Sequence, residues 1–173
     1  MQTTHMYQVR GRATRVRSGV VASDKVPEPI RFSAPPEFFG EAQVWTPEHF
    51  FVAALVSCYV STFSGIANAT KFSFASLEVN AEGTIERDAG GWRFTEIRLY
   101  PSVKIDREQD RERAGQILEK AERTCLIGRS ISAKVILVPA VKVVPDQTLD
   151  AAIDPTKMIV SAGHWPEESP RER

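Results

Sequence analysis

The chain of 173 residues carries two thiols, Cys58 and Cys125, with 66 residues between them. That spacing makes neither a CxxC pair nor half of a zinc ribbon, and two cysteines cannot build a disulfide framework. Two fates remain for them: small inert side chains in a core, the common one for free Cys, or reactive thiolates. Cys58 lies about three turns inside an uncharged, apolar stretch, where an unassisted thiol has a raised pKa, so reactivity there requires a cation brought from elsewhere. Arg10, Arg12, Arg15 and Arg17 can supply one, and Glu48, ten residues before Cys58, can hold it. An Arg fixed by Glu48 beside the thiol would favour the thiolate and present a rigid fork of donors. The same Arg run also reads as a solvated strand face.

The remaining chemistry-bearing residues give less. His5, His49 and His164 stand far apart and lack the i, i+4 or Cys-x-x-Cys neighbours of metal ligands, so no metal site is expected. No Gly-x-Ser-x-Gly elbow occurs, and Gly90-Gly91 reads as a turn rather than a phosphate cradle.

The elements that must position the thiols follow from the pattern. Tyr7 to Val21 alternates loosely and reads as a strand or hairpin, and Ile30-Arg31-Phe32-Ser33 reads as a short strand after Pro27 and Pro29. Thr46 is a good N-cap, Pro47 suits the first helical position and Glu48 complements the helix dipole. From Phe50 that helix is apolar nearly all round, which predicts a helix running through the core. Leu77 to Ile85, the turn Asp88-Ala89-Gly90-Gly91 and the alternation from Trp92 predict a long hairpin. Asp106 is expected to cap a second helix with Ala114, Ile117, Leu118 and Ala121 on its apolar face. Cys125 continues that face, with Gly128 expected to end the helix. A last strand is expected at Ala133 to Val138, continuing through Val141 to Val144, with no parallel βαβ unit evident. The order predicts an α+β domain with a largely antiparallel sheet.

Composition bounds the rest. Apolar residues at 42% and charged ones at 25% exclude a disordered or fibrous chain. Lys plus Arg and Asp plus Glu both number 22, and this balance argues against a whole-surface grip on nucleic acid or anionic lipid. The N-terminus has no apolar run after a basic start, so a cytoplasmic protein is expected. Phe50 to Thr70 is long enough to span a bilayer, but its serines, its Asn68 and the lack of flanking Lys/Arg clusters favour a core helix.

The segment Thr46-Pro47-Glu48-His49-Phe50-Phe51-Val52-Ala53-Ala54-Leu55-Val56-Ser57-Cys58 resembles the central-helix motif of the OsmC/Ohr family of hydroperoxide-reducing thiol proteins. Ala121-Glu122-Arg123-Thr124-Cys125 resembles the family's Ala-His-x-x-Cys, with Glu122 in place of the His, and the likeness covers about residues 7 to 140. The resemblance implies an OsmC-like fold, with largely antiparallel sheets around a long buried central helix, in an intertwined homodimer. The domain would occupy residues 1–144 and a partly mobile C-terminal extension 145–173. Cys58 would be the peroxidatic thiol, Cys125 the resolving thiol, and Glu48 the acceptor that orients the active-site Arg. Arg17-Ser18-Gly19 is nearest to the family's Arg-x-Gly step, and Arg15, on the same side of a strand, is the other candidate.

The resemblance further implies an organic hydroperoxide as substrate, a dithiol reductant that in the hydroperoxide-resistance branch is a dihydrolipoyl group, and no metal or organic cofactor. The alternative is a non-catalytic OsmC-like stress or small-ligand-binding protein whose cysteines are structural. Departures after Cys125, where Leu126-Ile127-Gly128 stands for the family's Pro-Tyr-Ser, point to a divergent branch.

Overall fold

The computed structural model describes residues 3–144, so the C-terminal extension expected from residue 145 lies outside the described residues. β1 (Arg10–Arg15) and β2 (Ser18–Ser23) form the expected hairpin, and β3 (Val26–Ser33) completes an antiparallel sheet in the order β1-β2-β3. β3 begins earlier than the alternation suggested and takes in Pro27 and Pro29, which an edge strand tolerates because its outer N–H groups have no ladder partner. Gly19 lets the three strands close up. A Cβ there would stand 2.6 Å from the Arg12 carbonyl oxygen and 2.9 Å from the Phe32 ring.

α1 (Pro47–Ala69) begins where the cap signals put it. His49 N–H donates to Thr46 Oγ1 and Thr46 N–H donates to His49 Nδ1, each at 3.2 Å, so two otherwise orphaned donors are satisfied. The expectation that α1 is enclosed on all sides is corrected. Only Leu55, Tyr59, Phe63 and Ala67, one per turn along a single face, are buried. Of the helix's most apolar window 22% is buried, and among the described residues α1 is the one helix long and apolar enough to cross a membrane. Among the described residues, one side of α1 is covered and the other has no partner.

β4 (Ser76–Asp88) and β5 (Gly91–Ile105) form the long hairpin, and β5 alternates strictly between buried Ile97, Leu99, Val103 and Ile105 and more exposed neighbours. β6 (Lys134–Leu137) and β7 (Ala140–Val143) both pair with β5 in parallel. The second sheet is therefore mixed. The connection from β5 through the helices to β6 is a parallel crossover that the sequence pattern did not reveal, because four-residue strands carry too little periodicity to declare a direction.

α2 (Arg111–Thr124) buries Ala114, Ile117, Leu118 and Ala121 as their spacing requires. Asp106 does not cap it. A 3-10 turn over Glu108–Asp110 intervenes, with Arg107 donating to Asp110 at 2.9 Å, and α2 starts beyond it. Nor does α2 carry Cys125 inside its last turn. Cys125 (φ −59°, ψ 118°) leaves the helical region and caps a further short helix, α3 (Leu126–Ser130), which contains Gly128 rather than ending on it. The core lies where α1, α2 and β5 meet, with Tyr59, Phe63, Leu99 and Leu118 among its fully buried side chains.

Candidate functional site

Cys58 sits in the middle of α1, half-buried, and the break after α2 brings buried Cys125 beside it. The break also turns the first backbone N–H groups of α3 toward the same sulfur. Ile127 N–H donates to Cys58 Sγ at 3.5 Å, while Gly128 N–H donates to Cys125 Sγ at 3.4 Å. Gly128 packs closely here, since a Cβ on it would lie 3.5 Å from Leu55 and 3.7 Å from Cys125 Sγ. The two residues that sequence places 66 positions apart thus share one small pocket of donors.

Their surroundings pull the two thiols in opposite directions. Burial pushes Cys58 up, but the Ile127 N–H, the Cys125 thiol, the Thr62 hydroxyl and the Leu126 N–H together outweigh it, and the net displacement is downward. Cys125 is pushed up, first by burial and then by the neighbouring Cys58, with the Gly128 N–H opposing. Of the two, Cys58 is therefore the thiol whose surroundings favour the thiolate more, and Cys125 the one they hold protonated more. Each of the donors to Cys58 is a neutral group of the same chain.

Arg17 and Glu48 lie elsewhere. Arg17 occupies the turn between β1 and β2 with φ 64°, exposed, its guanidinium carbon 5.6 Å from the centre of the Phe39 ring. Arg15 is exposed at the end of β1. Glu48 is in the first turn of α1, and ten residues of helix rise put it about 15 Å from Cys58 along the axis. Its Oε2 is buried and, among the described residues, has no hydrogen-bond partner. Glu48 borders a cleft of about 760 Å³ between the segment 35–46 and the tip of the β4–β5 hairpin, walled by Phe38, Trp45, His49, Ile85 and Trp92. Within the described residues the thiol pair thus stands apart from Glu48.

Sequence reasoning missed the donors. Thr62, one turn after Cys58, offered a signal through its i, i+4 spacing. The N–H groups of residues 126 and 127 offered none, because every non-proline residue has one. Among the described residues no group of three His, Cys, Asp or Glu side chains could hold a metal ion.

A capped apolar α1 that carries one thiol, a second thiol at the break between α2 and α3, and a mixed sheet built on the long β4–β5 hairpin define a protein of OsmC-like architecture. A family model described as OsmC-like protein matches residues 40–138, and the chain belongs to this family. Uncharacterized protein YmaD of Bacillus subtilis (strain 168) is 29% identical over 108 residues, 61% of this chain and 72% of that protein. Among solved structures, an OsmC-like protein of unknown function from Vibrio cholerae O1 biovar eltor superposes with a TM-score of 0.70 at 21% identity, over 79% of this chain and 99% of that one. The organic hydroperoxide resistance protein OhrB of Bacillus subtilis superposes with a TM-score of 0.59 at 18% identity, over 80% and 98%. At such identities the structural likeness is one of fold.

Proposed function

We propose that the protein is a thiol-dependent peroxidase acting on organic hydroperoxides in peroxide defence. The observation that carries this reading is the opposed displacement of two adjacent thiols, Cys58 toward the thiolate and Cys125 toward the thiol. Family membership and likeness to proteins named for organic hydroperoxide resistance support it.

The Cys58 thiolate attacks the terminal oxygen of the hydroperoxide. An S–O bond forms, the O–O bond breaks, and sulfur gives up two electrons. The alkoxide leaves and takes a proton to become the alcohol, and Cys58 becomes a sulfenic acid. The Cys125 thiol, already hydrogen-bonded to Cys58, then attacks that sulfur and water departs, leaving a Cys58–Cys125 disulfide. A dithiol of the dihydrolipoyl kind returns both thiols by exchange and becomes a disulfide itself.

Arg17 acts on the substrate, stabilising charge on the departing oxygen. Glu48, which the family resemblance makes the residue that orients it, is about 15 Å from Cys58 along α1 of the same chain, so in this reading the complete site forms between two copies, each lending its Arg17 and Glu48 to the other's thiols. The bare face of α1 is the surface that such a homodimer covers.

The test is hydroperoxide consumption with a dithiol reductant, by wild type, Cys58→Ser and Cys125→Ser, on alkyl, lipid and hydrogen peroxides. Wild type should turn over organic hydroperoxides, Cys58→Ser should not, and Cys125→Ser should complete one oxidation and then stall. Wild type no faster than Cys58→Ser would establish a non-catalytic protein with structural cysteines. Monomeric behaviour in solution would remove the shared-site arrangement while leaving the thiol chemistry open to the same assay.

A further inference from the structure

The Arg17 turn is held in place by residues that no motif singles out. Arg17 and Phe39 both have left-handed backbones, φ 64° and 62°, and the guanidinium of one lies over the ring of the other. Gln43, four residues on, is a third such residue at φ 58°. Left-handed conformations cost energy for side chains with a Cβ and persist only where the surroundings fix them. Here the fixing is visible. Ala34 N–H donates to the Arg17 carbonyl at 2.9 Å. Ser18, next to Arg17 and buried, donates its hydroxyl to Glu41 Oε1 at 2.9 Å and lies 3.1 Å from the hydroxyl of buried Ser33. Glu41 N–H donates to that Ser33 hydroxyl at 2.8 Å, and Arg31 on β3 donates to Glu41 Oε2.

Glu41 is thus the common acceptor tying the start of β2, the body of β3 and the segment that bears Phe39 and Gln43. It also borders the same cleft as Glu48. The Ser18 hydroxyl and the Arg31 guanidinium hold its carboxyl below the usual carboxylate range.

We infer that Glu41 is a positioning residue: through Ser18, Ser33 and Arg31 it fixes the Arg17–Phe39 pair and thereby the place from which Arg17 reaches the peroxide. The inference rests on the peroxidase reading for its functional half. Its structural half stands on the hydrogen bonds alone, and the two are tested separately.

The first measurement is amide hydrogen exchange over residues 15–19 and 34–41 in wild type and Glu41→Gln. Gln keeps the volume but cannot accept from both Ser18 and Arg31 as a carboxylate does. Exchange in both segments should speed up while that of α1 and β5 stays as in wild type. Unchanged exchange at 15–19 overturns the anchoring.

The second is a double-mutant cycle on the rate of Cys58 oxidation by an organic hydroperoxide, using Glu41→Gln, Arg17→Ala and the pair. Glu41→Gln alone should slow oxidation by about tenfold, on the scale expected when a reacting group is misplaced by an ångström or less. In the Arg17→Ala background it should have no further effect, because the side chain it positions is gone. A full additional loss in that background would mean that Glu41 acts on general stability, and would refute the positioning role. Should wild type fail to consume hydroperoxide, the peroxidase reading falls, and the exchange result alone decides whether Glu41 anchors the turn.

Discussion

Replacing Cys125 by Ala gives the most direct check on the thiol pair, because it leaves Cys58 as the only cysteine of the chain and removes one of its donors. Burial of Cys58 is opposed by the Ile127 N–H, the Cys125 thiol, the Thr62 hydroxyl and the Leu126 N–H, and the substitution deletes the second of these. A hydrogen bond to a charged acceptor contributes about 1.5–3 kcal/mol, and sulfur at both ends places this one at the weak limit. A loss of about 1.4 kcal/mol reduces the thiolate fraction roughly tenfold at any pH below the midpoint. The assay is the second-order rate of alkylation by iodoacetamide between pH 5 and 10, followed by mass so that Cys58 and Cys125 are counted apart in wild type. In Cys125→Ala the profile should move to higher pH, with the rate near pH 6 down about tenfold. Cys125→Ser, which keeps an O–H donor and the cap on Gly128, should fall between the two. A profile that does not move, or moves equally for Ala and Ser, would refute the claim that the second thiol activates the first by donating to it.

Thr62→Val removes a hydroxyl that donates to the Cys58 carbonyl at 2.7 Å and also favours the Cys58 thiolate, without changing the shape of α1, and should slow Cys58 alkylation near pH 6 by about threefold while leaving the melting temperature within a few degrees of wild type. Gly83→Ala should destabilise the domain by about 1–3 kcal/mol in chemical denaturation, since its Cβ would stand 2.7 Å from the Phe94 ring and 2.9 Å from Val52, where β4 and α1 approach. Burial, followed by the charges of Glu122 and Cys125, pushes the Tyr59 phenol well up, and its hydroxyl donates to the Leu118 carbonyl at 3.0 Å. A raised folded pKa means stability fully present below the unfolded value and lost as pH rises beyond it, so wild type should lose stability above about pH 10. Tyr59→Phe, measured by urea unfolding from pH 7 to 11, should cost about 1 kcal/mol at neutral pH and remove that share of the alkaline loss.

The parts of this molecule readable from sequence are those written in short-range pattern. Thr46-Pro47-Glu48 placed the start of α1, the Ala114/Ile117/Leu118/Ala121 spacing gave the buried face of α2, and alternation gave the β4–β5 hairpin. The sites of failure share a cause. Gly128 looked like a stop and Cys125 like the last residue of a helical face, yet a single ψ of 118° at Cys125 reorganises both into a cap and a new helix. One dihedral angle has no periodicity to detect, although it is what aims two N–H groups at Cys58. The buried helix was misjudged for a different reason. A chain's hydrophobic pattern records every surface that avoids water, including those covered by another molecule, so an all-round apolar helix does not reveal how much of its cover comes from its own chain.

Read from sequence, an arginine of the run Arg10 to Arg17 held by Glu48 is what favours the Cys58 thiolate, and the family resemblance narrows it to Arg17 or Arg15. In the structure the thiolate is favoured by donors on α1 and α3 that belong to the same chain as the sulfur and are present whether or not an arginine arrives. Under the proposed function, activation and recognition are then separable: the first would follow from the break at Cys125, the second from Arg17, which stacks on Phe39. On that reading Arg17→Ala should leave the alkylation of Cys58 by a small electrophile as in wild type and slow only its oxidation by an organic hydroperoxide, and equal losses in both reactions would refute the separation.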